Sequence, residues 1–271
     1  MKKKSSRIIL TKTNTKKIKI LLYLILCASF VIIHILSYYL ITETTIKILH
    51  NNPQKVAIYN NKTNEKILNL GINILNNPDI KHSFLVIILI IMSLIYLGAG
   101  FWWIIFTPYL VYKHLNKDRI YQIFISLFVV LLITLIIFFI FPVQITDNYQ
   151  WNYQQLKDTN SNLKQLLYHL LKLIYEHDSN RNNLLPSLHV SNSWFCYIVF
   201  RNNKHISKKI IYSQLIIALL VFVSTFVIKQ HYIMDGIFAI ILVEIVVLCV
   251  SKQIKSQQIK SQQIKNKLKK R

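Results

Sequence analysis

A chain of 271 residues with 53% hydrophobic composition and a mean hydropathy of +0.38 is too apolar for an ordinary soluble domain. The net charge of +23 does not point to nucleic acid, because the basic residues crowd into two tails and short connections, without interleaved aromatics. Cys27, Cys196 and Cys249 all lie inside apolar runs and read as small packing residues, so neither a disulfide nor a zinc site is indicated.

Residues 1–19 form a basic tail with Lys2, Lys3, Lys4, Arg7, Lys12, Lys16, Lys17 and Lys19. The first apolar run, about Ile20 to Ile41, is long enough to span a bilayer and has no small-residue cleavage site, so it reads as an uncleaved signal anchor. A polar stretch follows over 43–82. The second run covers about Ser83 to Tyr112, with Trp102, Trp103 and Tyr109 as candidate interfacial anchors. Lys113, Lys117 and Arg119 make a basic turn before the third run, about Ile120 to Val143.

The largest loop of the second half, 144–186, opens on Tyr149, Trp151 and Tyr153, an aromatic belt. Leu163, Leu166, Leu167, Leu170, Leu171 and Ile174 then recur at helical spacing, which predicts an amphipathic helix on the bilayer surface. It is either a lid or lipid entry ramp, or an element that packs on the helix ends. Runs four to six cover about Ser187 to Phe200, Ile210 to Ile228 and Ile233 to Val250. Residues 251–271 are a basic, low-complexity tail in which Ile-Lys-Ser-Gln-Gln repeats from Ile254 and from Ile259.

The fold class is therefore an all-α integral membrane protein. About six transmembrane helices over 20–250 form a bundle, with the interfacial helix in the loop before the fourth. The densest Lys/Arg stretches are the two tails, 113–119 and 201–209; alternation puts all four on one side, the cytoplasmic one. Loops 43–82, 144–186 and 229–232 then face outward.

Chemistry-bearing residues gather on that outer side, within 181–235. Pro186-Ser187-Leu188-His189 joins a loop to an apolar run. Pro186 suits the first turn of a helix, whose free N–H groups, with Ser187, make an anion site. His231 and Asp235 lie four apart, so on a helix they share a face and can hydrogen-bond. One histidine beside an anion cradle and another held by a carboxylate suggest phosphoryl transfer through a histidine nucleophile. Glu244, about 13 Å along the helix from Asp235, reads as a polar contact between helices.

These residues resemble the type 2 phosphatidic acid phosphatase superfamily. Its second motif, Pro-Ser-x-His, is Pro186-Ser187-Leu188-His189, and Ser224, His231 and Asp235 fall at its third-motif spacing. Thr225 stands where that motif has arginine, and the first motif is not visible. His231-Tyr232-x-x-Asp235 is closest in form to the inositol-phosphorylceramide and sphingomyelin synthase-like branch. The resemblance implies that His231 attacks phosphorus, that Asp235 orients its imidazole, and that His189 protonates the leaving alkoxide and then activates water or an alcohol. Ser187 would bind phosphate oxygens, with Arg181 and Lys229 as the nearest outer-side cations. It implies no metal or other cofactor, a lipid phosphate as substrate, and a multi-pass protein of a bacterial inner membrane with its site facing the periplasm. The alternative is a non-catalytic membrane protein, a transporter or a degenerate family member, since the first motif and the arginine are missing.

Overall fold

The computed structural model describes residues 83–140, 151–157, 159–177 and 185–269. The expected first span near 20–41, its basic tail and the polar stretch 43–82 lie outside these residues. Every regular element among the described residues is helical.

Helix α1 (Ser83–Phe101) runs through a π-helical turn, Trp102–Phe106, into α2 (Thr107–His114). Pro108 explains the widened turn: it has no N–H to donate, and its ring crowds the carbonyl four residues back. The N–H of Thr107 reaches the carbonyl of Trp102 instead, five residues back. After α3 (Lys117–Ile140) come a 3-10 turn at Tyr153–Leu156 and α4 (Asn162–His177). Helices α5 (Leu188–Arg201), α6 (Lys208–Val227) and α7 (Ile233–Lys269) complete the order.

Among the described residues, four segments are long and apolar enough to cross a membrane: Phe84–His114, Asp118–Ile140, Lys208–Val227 and Ile233–Ile264. Helix α5, the expected fourth span, has 14 residues and a rise of about 21 Å, less than the hydrocarbon thickness. The low-complexity tail is a continuation of α7, which runs unbroken to Lys269. No Gly or Pro follows Gly236, and Lys, Gln and Leu are strong helix formers.

The bundle is apolar outside and partly polar inside. Phe84, Ile87, Ile91 and Leu94 on α1 form an exposed stripe, as do Phe128, Leu132, Ile136 and Phe139 on α3, and Ile237, Ile241, Ile245 and Leu248 on α7. Continuous apolar surfaces of this kind are solvated by lipid. Ser93, Ser126, Thr134, Asn192 and Gln214 are buried instead.

Helix α5 is the hub, packing on α6 and α7 and touching α1 and α3. Arg201 at its end donates to both Glu244 oxygens, at 2.6 and 2.8 Å, and the Trp194 indole donates to the same carboxylate at 3.0 Å. This is the polar contact between helices read for Glu244. Helix α4 packs against α1, burying Leu167, Leu171 and Ile174 beside Val86, Leu89 and Ile90. Tyr168 and Tyr175 complete its buried face, whereas Leu163 and Leu166 of the expected stripe are exposed.

Gly236 lets α7 approach its neighbours: a Cβ there would run into the Phe222 ring and lie 3.4 Å from Val190. Gly236→Ala should therefore destabilise the protein by about 1–3 kcal/mol, the usual range for overpacking. Adding Phe222→Ala should recover part of that loss. Thermal unfolding in detergent checks both, and an unchanged Gly236→Ala midpoint would argue against this close approach.

Candidate active site

Two helix starts meet at one point. Ser187 is the N-cap of α5, its hydroxyl accepting from the N–H of Val190 at 3.4 Å. Pro186 therefore sits just before the cap rather than inside the first turn, where the sequence reading placed it. The N–H of Ser187 donates to the backbone carbonyl of Asp235 at 3.2 Å, tying α5 to the first turn of α7. Both helices thus direct the positive ends of their dipoles to the same place.

His231 precedes α7 rather than lying on it. Its pairing with Asp235 comes from cap geometry, not from a shared helix face. Asp235, third in α7, reaches back so that Oδ2 accepts from the N–H of Tyr232 at 2.9 Å. The same oxygen lies 3.6 Å from Nδ1 of His231. Both side chains are buried. The rings of His189 and His231 stand 6.3 Å apart between centroids, tilted by 53°.

The turn carrying His231 is pinned from several sides. The carbonyl of Thr225 accepts from the N–H groups of Gln230 and His231, at 2.9 and 3.1 Å. Trp151 donates its indole N–H to the carbonyl of Val227 at 2.9 Å, and the Tyr175 hydroxyl donates to that of Ile228 at 2.7 Å. Trp151 is buried inside the protein, so it is a brace of this turn rather than part of a lipid-facing belt. Thr225, at the arginine position, turns its hydroxyl onto the carbonyl of Phe222 at 2.7 Å.

Lys229 sits in this turn with φ 57°, a left-handed conformation rare outside glycine. Its ammonium lies 4.1 Å from the centroid of the Trp151 ring. Burial holds it below the usual lysine range. This is not the snorkelling posture of a helix-end lysine. Arg181, the other expected cation, lies outside the described residues.

His189 is stacked on Tyr96, with centroids 4.0 Å apart and planes 14° off parallel. Trp103 meets the same imidazole edge-on at 5.1 Å and 70°. Trp103 is buried and donates to the Ser193 hydroxyl at 2.9 Å, so it is not an interfacial anchor. Trp102 likewise donates inward, to Oε1 of Gln214 at 3.0 Å. Near the histidines, Asn192 and Gln230 are buried, both amide atoms of the first and the Nε2 of the second lacking a hydrogen-bond partner among the described residues. Sequence reasoning missed Tyr96, Trp103 and Tyr175 as site neighbours. The Trp102-Trp103 pair beside Pro108 was the one visible signal.

A sequence model of the PAP2 superfamily matches residues 74–249. Comparisons with curated proteins and with solved structures give no match.

The two braces of the turn can be removed singly without losing the aromatic rings. Trp151→Phe strips a buried carbonyl of its donor, as does Tyr175→Phe. Each should lower stability by about 1–3 kcal/mol, the cost of an unpaired buried polar group. Chemical or thermal unfolding of the purified variants measures this; wild-type stability in both would mean the carbonyls find other donors.

Proposed function

The chain belongs to the PAP2 superfamily, and from that membership we propose that it is an integral membrane lipid phosphatase or phosphotransferase acting through a phosphohistidine. The observation that carries the reading is the meeting of His189 and His231 at two helix N-termini, with Asp235 behind His231. In this reading one phosphoryl group is flanked by the two imidazoles, one as nucleophile and the other as acid.

Since Nδ1 of His231 faces Asp235, Nε2 is the nitrogen presented to phosphorus. Its lone pair forms the P–N bond while the P–O bond to the lipid alcohol breaks. His189, protonated, gives its proton to the leaving alkoxide. In the second step, water or an acceptor alcohol returns a proton to His189 and attacks phosphorus, and His231 departs. An alcohol acceptor is the outcome that the synthase-like motif form suggests. The carboxylate of Asp235 favours the cationic imidazole that the first step creates.

Negative charge on the phosphoryl oxygens is met by the free N–H groups of α5 and α7 and by the Ser187 hydroxyl, whose hydrogen remains to be donated. Lys229 supplies the positive charge that Thr225 lacks, with Arg181 as a second source. Asn192 and Gln230 offer polar atoms for the rest of the head group. The basic turns at Lys113–Arg119 and Arg201–Lys209 stand at the opposite helix ends, a charge asymmetry that supports an outward-facing site.

Brief exposure to a lipid phosphate with radiolabelled phosphate, followed by a basic quench, should trap a base-stable, acid-labile label on the protein. His231→Ala should abolish it, and turnover should persist in chelators. Equal labelling of wild type and His231→Ala would rule out the nucleophile. A folded wild-type protein inactive on a panel of lipid phosphates would favour the non-catalytic alternative.

The lysine makes a separate pH prediction. A required ammonium is present below its pKa and lost as pH rises through it, and burial moves that loss to lower pH. Beyond the step set by deprotonation of the His189 acid, a further alkaline loss of rate should therefore lie below the ordinary lysine range of about 10.4. Lys229→Arg, which stays charged, should remove that further loss, and Lys229→Ala should cut turnover roughly ten- to a thousandfold. Wild-type turnover in Lys229→Ala would exclude the ammonium.

A further inference from the structure

We propose that Tyr96 and Trp103 are positioning residues that clamp the His189 imidazole in the orientation needed to protonate the leaving alkoxide. The inference rests on the acid role given to His189 above. A histidine in the first turn of a helix can occupy several rotamers, and most of them aim its ring nitrogens away from a shared substrate. Here two rings restrict the choice. Tyr96 covers one face in near-parallel stacking, and Trp103 closes from the side in an edge arrangement.

The clamp is itself held. The Trp103 indole N–H is fixed to Ser193, four residues beyond His189 on the same helix, so Trp103 and the imidazole are referenced to one frame. The π-helical turn that begins at Trp102 sets the direction of Trp103 relative to Tyr96, and Pro108 explains that turn. Tyr96 and Trp103 belong to different apolar cores, one shared with α4 and one with α3 and α7. His189 lies where the two cores meet. Both clamp residues are buried.

The test separates positioning from folding by the leaving group. An alkyl lipid phosphate needs a proton on its departing oxygen; an aryl phosphate with an acidic phenol does not. Tyr96→Leu should lower kcat on the alkyl substrate roughly ten- to a hundredfold, a part of what a general acid contributes. The first-turnover burst of phenol from the aryl substrate should stay near wild type. Tyr96→Phe, which keeps the ring, should restore the alkyl rate. Equal losses on both substrates, or no loss on either, would overturn the clamp.

A readout independent of activity is NMR of ring-labelled histidine in detergent, with His189 assigned through His189→Gln. The stacked ring should shift the His189 ring protons upfield in wild type and Tyr96→Phe, and the shift should vanish in Tyr96→Leu. A wild-type enzyme inactive on both substrates but carrying that shift would sink the phosphatase reading and leave the clamp standing. Absence of the shift in wild type would sink the clamp.

Discussion

The N–H of Ser187 reaches the carbonyl of Asp235 because Gly236 allows the first turn of α7 to close on Phe222 and Val190. That backbone contact joins two sequence pieces nearly fifty residues apart, and most of the site geometry depends on it. It brings two helix N-termini together, and with them the positive ends of two helix dipoles. It also fixes where His189, in the first turn of α5, stands relative to His231, two residues before α7. Neither helix alone would bring the histidine rings to the 6.3 Å separation found here.

Keeping polar groups in an apolar bundle imposes the rest. Helix α5 is short, yet it carries Ser191, Asn192 and Ser193 buried in its first half and Arg201 at its end. Longer neighbours surround it and take up the contact with lipid through their exposed apolar stripes. Arg201 is matched by Glu244 in a bidentate pair, reinforced by Trp194. Two carboxylates of α7 thus serve opposite ends of the bundle. Asp235 steadies the His231 turn, while Glu244 fastens α7 to the far end of α5.

What the sequence made legible follows from the period of its apolar residues and from a few fixed spacings. The second, third and fifth runs appear as helices with ends near those expected, and the sixth starts where expected, because twenty apolar residues have few alternatives in lipid. The Pro186 to His189 and His231 to Asp235 spacings located the residues that converge. Their local geometry was less visible. An i,i+4 spacing is compatible with a helix face and with a cap, and the cap prevailed because Asp235 satisfies the N–H of Tyr232. Trp103 and Trp151 read as interfacial anchors because composition does not reveal which face of a helix, or which loop, turns inward. Tyr96 gave no signal, since a tyrosine inside an apolar run looks like packing. The continuation of α7 through the repeated tail was hidden by low complexity, although its residues favour helix.

In the proposed reaction, the absent arginine is met by a change in what each position contributes. Thr225 is buried at the end of α6, and its carbonyl takes the N–H groups of both Gln230 and His231. A compact side chain that bonds back to Phe222 leaves that carbonyl approachable from the turn. The chain then bends sharply enough to put Lys229 in a left-handed conformation, which costs about 1–2 kcal/mol for a residue with a Cβ. Trp151 and Tyr175 hold the carbonyls of Val227 and Ile228, on the helical side of the bend, and the Trp151 ring offers its face to the ammonium. The strain is thus offset by contacts from a different part of the chain. A glycine would meet the backbone requirement at Lys229 with less strain, and it would bring no cation. In the proposed reaction the lysine at this position supplies the positive charge that the phosphoryl group requires.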